Sequence, residues 1–141
     1  SEDVLVYRRP DQPKWGFGAD VSDDGRYLTL NVWQGTDERN RFFYKDLSTP
    51  DAPVVELIAE LEAAFNFVGN DGTRFYFHTN LQAPRYRLIA IDIARPERAN
   101  WQEVIAESDA TLQQVEWVGG QFVAEYLRDA RSEVRRCGRD G

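Results

Sequence analysis

One cysteine, Cys137, stands in the 141-residue sequence, and a single thiol excludes an internal disulfide. The redox compartment is therefore left open. No apolar stretch approaches the roughly 20 residues that a membrane-spanning helix needs. Basic residues are in deficit, because 17 Lys and Arg against 24 Asp and Glu leave a formal charge of −7. Phosphate backbones are bound through a Lys/Arg surplus, so a nucleic-acid partner is disfavoured, and an anionic membrane surface equally. Ser1-Glu2-Asp3 ahead of Val4-Leu5-Val6-Tyr7 offers no basic n-region and no long apolar h-region. That start reads as a strand and not as a signal peptide, which leaves open a leader further upstream in a longer parent.

Catalytic chemistry is equally sparse. The ten glycines never frame a serine as Gly-x-Ser-x-Gly, the strained elbow that a hydrolase nucleophile needs. His78 is the sole histidine and the only candidate general base. Without such a serine no triad is expected inside this chain, and His78 reads as an edge histidine at a strand end, near a loop. Asp20, Asp23 and Asp24 before Gly25 faintly resemble a calcium loop, but the twelfth position is Asn31, where that loop needs Glu. A hairpin turn is the better reading. Cys137 has Arg135, Arg136 and Arg139 nearby, which favour a thiolate. An inert strand cysteine is preferred all the same. Metal ligation by one Cys and one distant His has almost no support, so no metal and no cofactor are expected. The basic run Arg128, Arg131, Arg135, Arg136 and Arg139 is broken by Asp129 and Glu133. It reads as a solvated strand face before it reads as a contact for an acidic partner or another domain.

What the sequence does have is a repeat. Apolar residues make up 42% of it, enough for a core. Asp24-Gly25 and Asp71-Gly72 lie 47 residues apart, and Glu56-Leu57-Ile58-Ala59-Glu60 returns 47 residues later as Glu103-Val104-Ile105-Ala106-Glu107. Asp46-Leu47 returns as Asp92-Ile93 at a spacing of 46. A period of roughly 40–50 residues built from short strands is the signature of β-propeller blades.

The predicted first copy has strands Phe17–Val21, Tyr27–Trp33, Arg41–Asp46 and Val54–Glu60, with Ser22-Asp23-Asp24-Gly25 as its hairpin turn. The second has Asn66–Val68, Arg74–His78, Tyr86–Ile91 and Trp101–Ala106. A third begins at Leu112–Val118, turns at Gly119-Gly120, and continues as Phe122–Leu127 and Ser132–Cys137. The fold expected is all-β: four-stranded antiparallel meander blades, with repeats about 14–60, 64–107 and 111–141. Residues 1–8, with the strand Asp3–Tyr7, would be the last strand of a preceding blade. About two and a half blades cannot close a propeller, so the chain is expected to be part of something larger. Its open edges would otherwise invite self-association.

The segment Pro13-Lys14-Trp15-Gly16-Phe17-Gly18-Ala19-Asp20-Val21-Ser22-Asp23-Asp24-Gly25-Arg26-Tyr27 resembles the propeller of the prolyl oligopeptidase (prolyl endopeptidase) family. Asn40-Arg41-Phe42-Phe43-Tyr44-Lys45-Asp46-Leu47 and Thr79-Asn80 through Pro84-Arg85-Tyr86-Arg87-Leu88 continue the resemblance. So do Trp101-Gln102-Glu103-Val104-Ile105 and Glu125-Tyr126-Leu127-Arg128-Asp129-Ala130, in order along essentially the whole chain. A lone Ser-Asp-Asp-Gly turn is weak, but the ordered set is specific. The resemblance implies a seven-bladed propeller joined to an α/β-hydrolase domain with a Ser-Asp-His triad, which cleaves short peptides after proline. It implies that the propeller restricts entry to small flexible peptides, and that this chain supplies middle blades of that lid. The partners implied are the hydrolase domain, the remaining blades and short proline-containing peptides. The cytoplasm is the compartment implied, with the periplasm as the alternative. By resemblance, the loop carrying Thr79, Asn80, Gln82 and Arg85 is a flexible loop at the domain interface that gates substrate entry. As a plain sequence it reads as a blade connection with a proline turn.

Two functions compete. One is a non-catalytic, substrate-gating segment of a proline-specific serine peptidase. The other is a stand-alone, propeller-derived module that binds a peptide or protein, since fold alone does not fix function.

Overall fold

The computed structural model describes residues 15–22, 24–34, 39–118, 120–128 and 131–138. The expected strand Asp3–Tyr7 lies outside the described residues, as do Asp23, Gly119 and Arg139. Three antiparallel sheets follow one another along the chain. The first runs in sequential order through β1 (Trp15–Val21), β2 (Tyr27–Gln34), β3 (Asn40–Asp46) and β4 (Val55–Ile58). The second repeats that order with β5 (Phe65–Asp71), β6 (Arg74–Thr79), β7 (Arg87–Asp92) and β8 (Gln102–Ile105). The third is β9 (Thr111–Val118), β10 (Gln121–Arg128) and β11 (Arg131–Cys137). Two compact units result: residues 1–63 with the first sheet, and residues 64–141 with the other two. A 3₁₀ turn at Arg98–Asn100, which the strand pattern does not announce, precedes β8.

The repeated residues do the same work in both copies. Gly25 and Gly72 take φ of 73° and 61°, the left-handed region that a tight hairpin demands and a side chain resists. Asp46 ends β3 and its Oδ1 accepts the Ser48 N–H at 2.9 Å, while Asp92 ends β7 and accepts the Ala94 N–H at 3.0 Å. These carboxylates turn the chain out of the third strand. The next residue then bonds back across the sheet: Leu47 N–H donates to Arg26 O at 2.7 Å, and Ile93 N–H to Thr73 O at 2.9 Å. Both fourth strands meet the third through a register shift, at Phe42/Phe43 and at Leu88/Ile89.

The cores explain the aromatics. In the first unit Leu30, Val32 and Phe43 pack with Phe17, Ala19 and Val54, and Tyr27 meets Tyr44 edge-on at 5.9 Å. In the second unit, alternate residues of β6 and β7 point to opposite faces. Tyr76, Leu88 and Ala90 join Leu112, Val115, Phe122 and Ala124 in one core that unites the second and third sheets. Tyr76 lies 5.1 Å from the Trp117 ring and 4.7 Å from Phe122. Phe75, Phe77 and Ile91, on the other face, are fully buried as well. Phe67 contacts Phe75 and Phe77 edge-on at 5.3 and 5.7 Å. Burial on both faces is why Phe75-Tyr76-Phe77 and Leu88–Ile91 read as unbroken apolar runs. Each such side chain contributes about 1.5–3 kcal/mol over its exposed state.

Candidate functional site

The loop between β6 and β7 gathers the four residues singled out from the sequence, and it divides them by role. Thr79 is fully buried, and its Oγ1 accepts the Leu81 N–H at 3.1 Å. Asn80 is half-buried, and its Oδ1 accepts the Ala64 N–H at 2.9 Å. Its own carbonyl accepts the Ala83 N–H at 3.1 Å, and the Ala83 carbonyl accepts the Tyr86 N–H at 2.8 Å. Two successive turns therefore wind the loop inward, and Gln82 and Tyr86 adopt φ of 52° and 69° to make them. Gln82 and Arg85 are left exposed.

The connection from β8 to β9 holds the far end. Arg85 N–H donates to Glu107 Oε2 at 2.7 Å, and Leu112 N–H donates to Arg85 O at 2.8 Å. The Arg85 guanidinium also donates to the Asp109 carbonyl. Glu107, Asp109 and Leu112 as anchors escaped the sequence reading. Only Glu107 carried a signal, as the last residue of the repeated Glu-x-Ile-Ala-Glu motif. Beside the loop, within the second unit, a cleft of about 240 Å³ is bordered by Leu81, Gln82, Ile89, Trp101 and the ion pair Arg87–Glu103 at 3.0 Å. Arg98 covers one side of Trp101 at 4.6 Å, and the indole N–H is spent on Pro96 O at 2.9 Å.

His78 sits at the strand end, but it is interior: only 7% of it is exposed. Its Nε2 lies 2.5 Å from Leu112 O, and its Nδ1 lies 3.3 Å from Asn66 Nδ2. A carbonyl only accepts and an amide nitrogen only donates, so these partners fix a neutral ring protonated at Nε2. The ring stacks on Tyr86 at 4.5 Å with the planes 15° apart. Burial pulls its pKa below the ordinary histidine value, and the bond to Leu112 O opposes that shift. With both nitrogens engaged and one face covered, His78 ties sheets together and has no proton site for a substrate.

The remaining candidates are structural as well. Asp24 Oδ1 accepts from Ser22 Oγ at 2.5 Å and from Arg26 N–H at 3.0 Å, so it braces the turn. Among the described residues no group of three or more His, Cys, Asp or Glu side chains is placed to hold a metal ion. Cys137 packs against the core of the second unit. Arg135 lies 5.0 Å over the Tyr126 ring and 3.3 Å from Glu133, which makes it part of a charged strand face.

Repeated four-stranded meanders, with a third sheet packed on the second, define blades of a β-propeller. The model of the prolyl oligopeptidase N-terminal β-propeller domain matches residues 1–141, and the chain belongs to that family. It is 33% identical over 138 residues to the dual function macrocyclase-peptidase POPB of Amanita bisporigera, covering 94% of this chain and 19% of the relative. It is 31% identical over 141 residues to a prolyl endopeptidase of Elizabethkingia meningoseptica, covering all of this chain and 20% of the relative. Among solved structures, apo prolyl oligopeptidase B from Galerina marginata superposes with a TM-score of 0.88 at 33% identity. That match covers 96% of this chain and 20% of the other. The chain thus spans about a fifth of the length of the relatives it matches.

Proposed function

We propose that this chain is a non-catalytic part of the propeller lid of a proline-specific serine peptidase, and that the lid admits short flexible peptides and excludes bulky ones. The observation that carries this reading is the ordered likeness along the whole chain to the propeller domain of prolyl oligopeptidases. A catalytic α/β-hydrolase domain, the other blades and short proline-containing peptides are its partners, and the cytoplasm is its compartment. The Thr79–Arg85 loop takes part in the gate. Buried Thr79 and half-buried Asn80 are its anchors, and Gln82 and Arg85 are the exposed groups that a passing peptide meets. Exposed Val134 on β11, a strand paired only with β10 among the described residues, supports self-association of this chain in isolation.

The test compares the full-length protein with its Gln82→Ala/Arg85→Ala variant on proline-containing peptides of increasing length. The expected result is an altered length cut-off and KM, with kcat for a short proline substrate unchanged. The gating role is overturned by identical length profiles. The lid reading is overturned separately if the full-length protein cleaves no peptide after proline.

A further inference from the structure

The cleft beside the β6–β7 loop has a floor and a rim of different chemistry. Ile89 and Leu81 form the floor, at 2% and 9% exposure, and half-buried Trp101 forms a wall. Sheet pairing sets this arrangement, because Ile89 of β7 stands in register with Glu103 of β8, two residues beyond Trp101. The loop supplies the other side, since the turn that buries Leu81 leaves Gln82 exposed at the rim. The volume of about 240 Å³ falls below the roughly 300–1,000 Å³ of clefts that hold drug-sized ligands, and it suits one residue of a peptide.

The polar groups near the floor are already engaged. Arg87 and Glu103 pair with each other at 3.0 Å, so that pair offers no uncompensated charge. The Trp101 indole N–H donates to Pro96 O at 2.9 Å, which leaves ring surface as what Trp101 presents. Phe65 meets that ring edge-on at 6.0 Å and Arg98 lies over it at 4.6 Å, and both hold it in place. Isoleucine, leucine and indole carbons provide no acceptor. An ordinary residue laid on this floor would lose water from its backbone N–H with nothing to replace it, whereas proline carries no N–H to strand. Aromatic and aliphatic surface of this kind is what takes up prolines of extended segments. The carboxamides of Gln82 and Gln102 at the rim can donate to the carbonyls that flank such a ring.

We propose that this cleft is an accessory subsite for a proline residue of an extended peptide, away from the bond that is cut, with Trp101, Ile89 and Leu81 as its apolar contacts. The inference rests on the lid reading above and extends it. Leu81 and Gln82 belong to the gate loop, so a peptide that meets the gate meets this subsite.

The experiment is photo-crosslinking of the full-length protein, with any reactive serine first blocked by diisopropyl fluorophosphate. The probe is acetyl-Ala-Pro-Ala-amide extended by one diazirine-bearing residue, and the adducts are located by mass spectrometry. Saturable labelling within residues 81–103 is expected. Acetyl-Ala-Pro-Ala-amide should displace it at least about tenfold more effectively than acetyl-Ala-Ala-Ala-amide. Both readouts use the unaltered protein. Trp101→Ala should then lower the labelling at least about tenfold, and Trp101→Phe, which keeps an aromatic ring, should retain most of it, with circular dichroism as the check on folding. No saturable label in that segment, equal displacement by the two peptides, or unchanged labelling in folded Trp101→Ala overturns the subsite. Cleavage after proline is a separate readout: a protein that takes the label there and cleaves nothing after proline overturns the lid reading and leaves the subsite standing.

Discussion

The imidazole Nε2 of His78 and the carbonyl oxygen of Leu112 lie 2.5 Å apart, and this hydrogen bond joins the second sheet to the start of β9 in the third. Tyr86 stacks on the same ring, and the residue before it, Arg85, accepts the Leu112 N–H through its carbonyl. The loop, the imidazole and the start of β9 are thus one hydrogen-bonded unit.

Stability should depend on pH through this ring. Burial holds the His78 pKa below its ordinary 6.5 in the folded state. Above 6.5 both folded and unfolded chains carry a neutral ring, and its contribution is present in full. As pH falls below that value the unfolded chain takes a proton that the folded chain resists, so stability drops until the folded pKa is passed. His78→Gln keeps an amide donor for Leu112 O and removes the titration. Urea midpoints at about pH 7.5 and about pH 5.5 should separate more for the wild-type chain than for the variant. Parallel losses would assign the pH dependence to other groups.

Two glycines that face tryptophans should respond differently to alanine. A β-carbon on Gly69 would sit 3.0 Å from Trp117 Cβ, an atom fixed to its own backbone between two packed sheets. Gly69→Ala is expected to lose about 1–3 kcal/mol by overpacking. A β-carbon on Gly16 would sit 2.2 Å from Trp33 Nε1, but Trp33 is 39% exposed and its ring can swing outward. Gly16→Ala should change indole fluorescence and lose less than about 1 kcal/mol. Equal losses in denaturant unfolding would contradict this account.

The blades were legible because their signals are local. Asp24-Gly25 and Asp71-Gly72 specify hairpin turns wherever they occur, and Tyr27–Trp33 alternates with the period of a half-buried strand. Val54–Glu60 alone fits either a strand or a helix start, and its short, β-branched copy Gln102–Ala106 decides for strand; the structure has strands at Val55–Ile58 and Gln102–Ile105. The loop was harder. Nothing in Thr79-Asn80-Leu81-Gln82 shows that Asn80 reaches back to Ala64, or that Glu107 and Asp109 hold Arg85. Those contacts span 16 to 24 residues and exist only once sheets have packed. His78 reads from the sequence as a structural histidine at a sheet edge; it lies instead on an inner strand, and its burial depends on the third sheet arriving to supply Leu112 O.

Asn80 offers the sharpest test of how the loop is held. Ala64 is only 5% exposed, and its N–H has the Asn80 side-chain oxygen as acceptor at 2.9 Å. Asn80→Ala leaves that donor buried without this acceptor, which is expected to lose about 1–3 kcal/mol. Asn80→Asp keeps an oxygen in place and should recover most of the loss. Gln82→Ala, an exposed change in the same loop, should stay within about 0.5 kcal/mol of wild type. Hydrogen exchange at the Ala64 amide provides the site-specific check, because protection should fall in Asn80→Ala and persist in the other two. If Ala64 stays protected in Asn80→Ala, a different acceptor holds that amide and the anchor assigned to Asn80 is wrong.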